Sequence, residues 1–108
     1  MNSGLRKIWG QRLYSRLPLV GGWLRLRAVA KLARDDSPEA VRLLAEAVAR
    51  SDDRRVCIEA LEALQEVERP RCVEAVCEVW AATRNVYLEG LLTVTGWVAN
   101  APVAVRVL

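Results

Sequence analysis

The sequence predicts an all-α fold: a short α-solenoid of antiparallel helix pairs behind an N-terminal amphipathic helix. Three observations lead there. Apolar residues recur at helical spacing along most of the chain. Pro38, Pro70 and Pro102 stand 32 residues apart, and their neighbourhoods travel with them. Period-two alternation, the mark of a half-buried strand, is absent over any useful length; the weak alternation at Val94–Val98 aligns with helical positions of the other copies.

The shared offset extends well beyond the prolines. Ala40-Val41 matches Cys72-Val73 and Ala104-Val105, Leu44 matches Val76 and Leu108, Glu46 matches Glu78, and Val48 matches Trp80. Upstream, Leu24, Leu26, Ala28, Val29 and Leu32 match Val56, Ile58, Ala60, Leu61 and Leu64. Each copy reads as two helices. Leu24, Ala28, Val29 and Leu32 place one apolar stripe on the first, and Val41, Leu44, Ala45 and Val48 one buried face on the second. One pair cannot bury its stripe alone, so stacking is required. The chain divides into a basic amphipathic helix and turn (1–22), then repeats 23–50, 51–82 and 83–108, the last incomplete.

The elements follow in order. Leu5, Ile8, Trp9, Leu13 and Leu17 lie on or near one face of the first helix, with Arg6, Lys7, Arg12 and Arg16 largely off it. That apolar face is expected to bury itself on the first repeat, and Pro18 with Gly21-Gly22 to end the helix in a turn. Asp35-Asp36-Ser37 separates the next two helices. Ser37 is a good N-cap, Pro38 suits the first turn because its missing N–H would be unpaired there, and Glu39 suits the positive end. Arg50 closes that helix, and Ser51-Asp52-Asp53 forms a polar break able to cap the next. Links this short set neighbouring helices antiparallel. The third copy is poorer: Thr93 and Gly96 stand where Leu61 and Leu64 stand earlier, and Gly90 and Gly96 each cost about 1 kcal/mol against alanine in a helix. The helix expected from Pro102 is cut short, and its end is apolar where a solenoid carries a polar cap. Val103, Val105, Val107 and Leu108 are therefore expected to be covered by another chain or by further residues.

Composition narrows function. Of 108 residues, 53% are apolar, enough for a core, and 27% are charged. There is no histidine, which removes the commonest general base and metal ligand. Cys57, Cys72 and Cys77 are odd in number and lack CxxC spacing, which fits a reducing compartment, read as the cytoplasm. Three cysteines without histidine make neither a zinc set nor a paired nucleophile. Glu59, Glu62, Glu66, Glu74 and Glu78 fall on outward helical positions, and Gly21-Gly22 lacks the rest of a phosphate-cradling loop. No catalytic, cofactor or metal residue is assigned, and no enzyme activity is expected. No secretory signal is visible, and the longest uncharged run, Gly90–Val105, is shorter than the roughly 20 residues a bilayer span needs.

The net charge of +3 conceals a split: residues 1–34 hold eight basic and no acidic residues. Either that arm packs on the acidic remainder or on an acidic neighbour, or it binds nucleic-acid phosphate or an anionic membrane through Arg6, Lys7, Arg12 and Arg16. Tryptophan is enriched at interface hot spots, which makes Trp9, Trp23 and Trp97 candidates; Trp80, at a core position, reads as packing. Val103, Val105 and Leu108 complete the candidate interaction residues.

The segment DDRRVCIEALEALQEVERPRCVEAVCEVW (52–80), and more loosely LRLRAVAKLARDDSPEAVRLLAEAV (24–48), resembles HEAT-type repeats. The acidic turn followed by Val56, Ala60, Leu61 and Leu64 looks like the first helix of such a repeat, and Val73, Val76 and Cys77 look like the second. The stretch RCVEAVCEVWAATRN with GWVANAPVAVRVL resembles helical segments of large bacterial proteins that also carry WD-repeat propellers. These resemblances imply a non-enzymatic protein-interaction or scaffold module, part of or partner to a larger assembly. Its partner would be another protein or a chain covering the open C-terminal repeat, a homo-oligomer included; the alternative remains nucleic acid or an anionic membrane at the basic arm.

Overall fold

A computed structural model describes residues 2–17, 20–35 and 37–95. The described residues are all-α, with six helices and no strand: α1 (Ser3–Arg12), α2 (Gly21–Arg34), α3 (Pro38–Arg50), α4 (Arg54–Gln65), α5 (Pro70–Thr83) and α6 (Val86–Thr95). The helix expected from Pro102, with Trp97, Val103, Val105, Val107 and Leu108, lies outside the described residues.

Local chemistry sets most of the helix starts. Asn2 accepts the Leu5 amide at 2.8 Å, and Ser37 Oγ accepts the Ala40 amide at 3.2 Å. Asp53 accepts the Arg55 amide at 3.0 Å to open α4, and Asn85 accepts the Tyr87 and Leu88 amides at the start of α6. Pro38 and Pro70 each stand in the first turn of their helix. Those two openings are 32 residues apart, as are the openings at Arg54 and Val86.

The helices lie in two rows. In one, α3 is flanked by α1 and α5; in the other, α4 is flanked by α2 and α6. Helix α3 also touches α2, α4 and α6, which makes it the centre of the packing. One pairing departs from expectation. Helices α4 and α5, successive in the second repeat, bring no pair of Cα atoms within 8 Å. The link from α3 to α4 is the shorter one, and it seats α4 on α3 instead.

The apolar stripes are buried as their spacing predicts. Ala28, Val29 and Leu32 are buried on α2, and Val41, Leu44, Ala45 and Val48 on α3. Val56, Ala60 and Leu64 are buried on α4, and Val73, Val76, Cys77 and Trp80 on α5. Leu24 and Leu61 are only half-buried. Helix α3 hides Ala40 and Ala47 as well, because it has neighbours on several sides. On α6, Leu88 and Leu92 stand 32 residues after Val56 and Ala60 and are likewise buried. Each large side chain removed from water contributes roughly 1.5–3 kcal/mol.

The N-terminal helix differs from its expected form. It stops at Arg12, so Leu17 lies past its end, and Leu5, Ile8 and Leu17 are exposed rather than packed on the first repeat. The buried face is centred on Gly10 and Leu13 instead. A Cβ at Gly10 would stand 3.1 Å from Leu43 Cδ1, so the missing side chain lets α1 approach α3 closely. Gly21 and Gly22 open α2 rather than forming a turn, and a Cβ at Gly21 would stand 3.3 Å from the Ser15 carbonyl oxygen.

Candidate functional site

The eight basic residues of the arm have two fates. Arg6 donates to Asp35 at 2.8 Å, Arg16 to Asp52 at 2.9 Å and Arg25 to Asp53 at 2.7 Å. Arg25 also donates to the Ser15 carbonyl. The hydrogen bond from Arg16 holds the Asp52 carboxyl below its usual range, and that from Arg25 does the same for Asp53. The hydrogen bond to Asp35 raises Arg6, which keeps its charge. Of the sequence candidates, Arg6 fastens the arm to the acidic part of the chain through a shielded pair, while the Arg16–Asp52 pair is exposed and adds little.

Lys7, Arg12, Arg27, Lys31 and Arg34 form no ion pair among the described residues. Three of them, Arg12, Arg27 and Lys31, lie against two tryptophans. The Arg12 guanidinium lies 4.7 Å from the centroid of a Trp9 ring, and Lys31 Nζ from α2 lies 6.0 Å from it. Arg27 lies 5.3 Å from the centroid of Trp23, which is 60% exposed. Trp23, Arg27 and Lys31 follow one another at four-residue spacing, which stacks them on one face of α2. The result is a ridge along α1 and α2 in which cations and indole rings alternate. Beside it runs a groove lined by Leu26, Ala30 and Ala33 of α2 and by Ala63 with the exposed Glu59 and Glu62 of α4.

Of the sequence candidates, Trp9, Arg12 and Trp23 belong to this ridge, and Lys7 is exposed on α1. Arg27, Lys31 and Arg34 are not among those candidates, although the four-residue spacing from Trp23 to Arg27 to Lys31 carries the signal. Trp97, Val103, Val105 and Leu108 lie outside the described residues.

A second surface lies on α4 and α6. A cleft of about 670 Å³ opens between the end of α3, α4 and the start of α6, lined in part by Val48, Ile58, Leu61 and Tyr87. Ile58, Val86 and Tyr87 are exposed there, and Val94 further along α6 is 87% exposed. Cys57 borders the cleft with its Sγ 3.5–3.7 Å from the carbonyls of Ala47, Val48 and Ser51. Burial and then the Asp53 charge push this thiol up, and the negative end of α3 acts in the same sense, so it is poorly suited to nucleophilic work. Burial pushes Cys77 up to about 11. Among the described residues no group of three or more cysteine, aspartate or glutamate side chains is placed to hold a metal ion. No described helix is long and apolar enough to cross a membrane.

Trp80 is buried under the Arg84 guanidinium, 5.0 Å from its ring, and its Nε1 finds no acceptor among the described residues. Its position is that of a core side chain. No family model, curated protein or solved structure matches this chain.

Proposed function

We propose that this chain is a non-enzymatic protein-interaction module: a short solenoid of HEAT-like helix pairs, with a 32-residue step, that works inside a larger assembly. The two rows of helices and the paired openings at Pro38 and Pro70 support the solenoid. The observation that carries the function is the uncovered apolar surface of α4 and α6. Ile58 and Tyr87 are exposed at the cleft, and Val86 and Val94 are exposed on α6. Large apolar side chains exposed around a cleft favour a partner over solvent. The partner is a further helical unit supplied by another protein chain, a second copy included. The resemblance to helical segments of bacterial WD-repeat scaffolds points the same way. Three free cysteines suit the reducing cytoplasm, where we place the chain.

Sedimentation equilibrium over a range of concentrations, paired with binding of an apolar fluorescent dye, tests this reading. Dye binding that falls in Tyr87→Glu and Val94→Glu, with a particle mass rising above the monomer, is the expected result. A chain that stays monomeric at every concentration and takes up no dye contradicts it.

A further inference from the structure

We propose that the ridge formed by α1 and α2 docks on an anionic lipid surface. The ridge presents Arg12, Arg27, Lys31 and Arg34, and no acidic residue occurs among residues 1–34 to offset them. Exposed apolar side chains are interleaved with these cations: Leu5 and Ile8 on α1, Trp23 on α2, and Leu17 and Val20 in and beside the connection. Cations that meet lipid headgroups, with aliphatic and indole side chains that enter the acyl boundary, are what an interfacial helix needs. The other charges set the orientation. The remainder of the chain carries excess acid, and Glu59 and Glu62 on α4 form the far wall of the groove beside the ridge, so the molecule would stand on its α1–α2 edge with α4 tilted away from the surface.

Single-stranded nucleic acid also binds basic, aromatic surfaces, by stacking bases on ring faces. Two observations favour lipid. Arg12 and Lys31 already lie against Trp9, and Arg27 lies against Trp23, so base stacking would have to displace cations. Leu5, Ile8, Leu17 and Val20 would have no role on a phosphate backbone, whereas a bilayer gives each of them somewhere to go.

The test is flotation of the full chain with vesicles of phosphatidylcholine, alone or with added phosphatidylserine, at low and high salt. Binding is expected only with the anionic lipid, and weaker in salt. Each ridge cation near the surface is worth about 5-fold in affinity, so Arg27→Ala with Arg34→Ala should weaken binding roughly 25-fold. Both side chains are exposed, so circular dichroism should be unchanged. The charge-matched control, Arg54→Ala with Arg55→Ala on exposed positions of α4, should bind as the parent does. Equal flotation with neutral vesicles, equal losses in the control, or no flotation with the anionic vesicles at low salt would each overturn the proposal, and retention of a single-stranded oligonucleotide in that last case would assign the ridge to nucleic acid instead.

Discussion

Arg25 on α2 grips Asp53, the residue that caps α4, with Nε 2.7 Å from Oδ2. The other carboxylate oxygen takes the Arg55 amide, and the same guanidinium reaches back to the Ser15 carbonyl. One side chain thus ties the α1–α2 connection, α2 and the start of α4 together. Both partners are mostly shielded from solvent. Arg25→Ala should lower unfolding free energy in urea by about 1–2 kcal/mol. Arg25→Lys should restore only part of it, because an ammonium lacks the fork that serves two acceptors.

The same contact gives a pH dependence. The hydrogen bond from Arg25 keeps the Asp53 carboxyl below its unfolded value. A depressed carboxyl contributes stability above its unfolded pKa, about 3.9, and loses it as pH falls through the folded value. Asp53→Asn keeps an oxygen for the Arg55 amide but gives up the ion pair. Thermal melts of this variant should start from a lower midpoint at neutral pH and decline less than the parent below about pH 4.

Two glycines should respond oppositely to enlargement. Nothing lies within 4 Å of a Cβ at Gly90, in the middle of α6. Gly90→Ala should therefore raise stability by about 0.5–1 kcal/mol through helix propensity. At Gly10 the Cβ would press on Leu43, and Gly10→Val should push α1 off α3 at a cost of about 1–3 kcal/mol.

Arg84 closes α5 at φ 53°, a left-handed conformation unusual for a side-chain-bearing residue, while its guanidinium covers Trp80. Arg84→Ala keeps the strained backbone and loses the ring contact, and should cost about 0.5–1 kcal/mol. Arg84→Gly loses the same contact but relieves the backbone, and should unfold close to the parent midpoint.

The parts of the fold legible in the sequence are those that local chemistry decides. Ser37 and Asp53 open their helices because an orphan amide needs an acceptor within three residues, and Pro38 suits the first turn because it has no amide to leave unpaired. The stripes from Val41 to Val48 and from Val73 to Trp80 are buried because helical spacing alone gathers them. The remainder depends on distant neighbours. The buried face of α1 is chosen by Gly10 fitting beneath Leu43, which no pattern within residues 3–12 discloses. Arg6 and Lys7 are adjacent and look equivalent by composition, yet it is Arg6 that meets Asp35 while Lys7 stays exposed. The ridge needs Lys31 brought to Trp9, and that depends on how α2 lies against α1.

Inserting a second copy of residues 38–69 between Arg69 and Pro70 tests the central claim most directly. Stacked units of one design accept another unit and gain an interface, so the longer chain should unfold cooperatively, with proportionally more helix and a denaturation midpoint at or above that of the parent. A midpoint well below the parent's, or loss of cooperative unfolding, would contradict it.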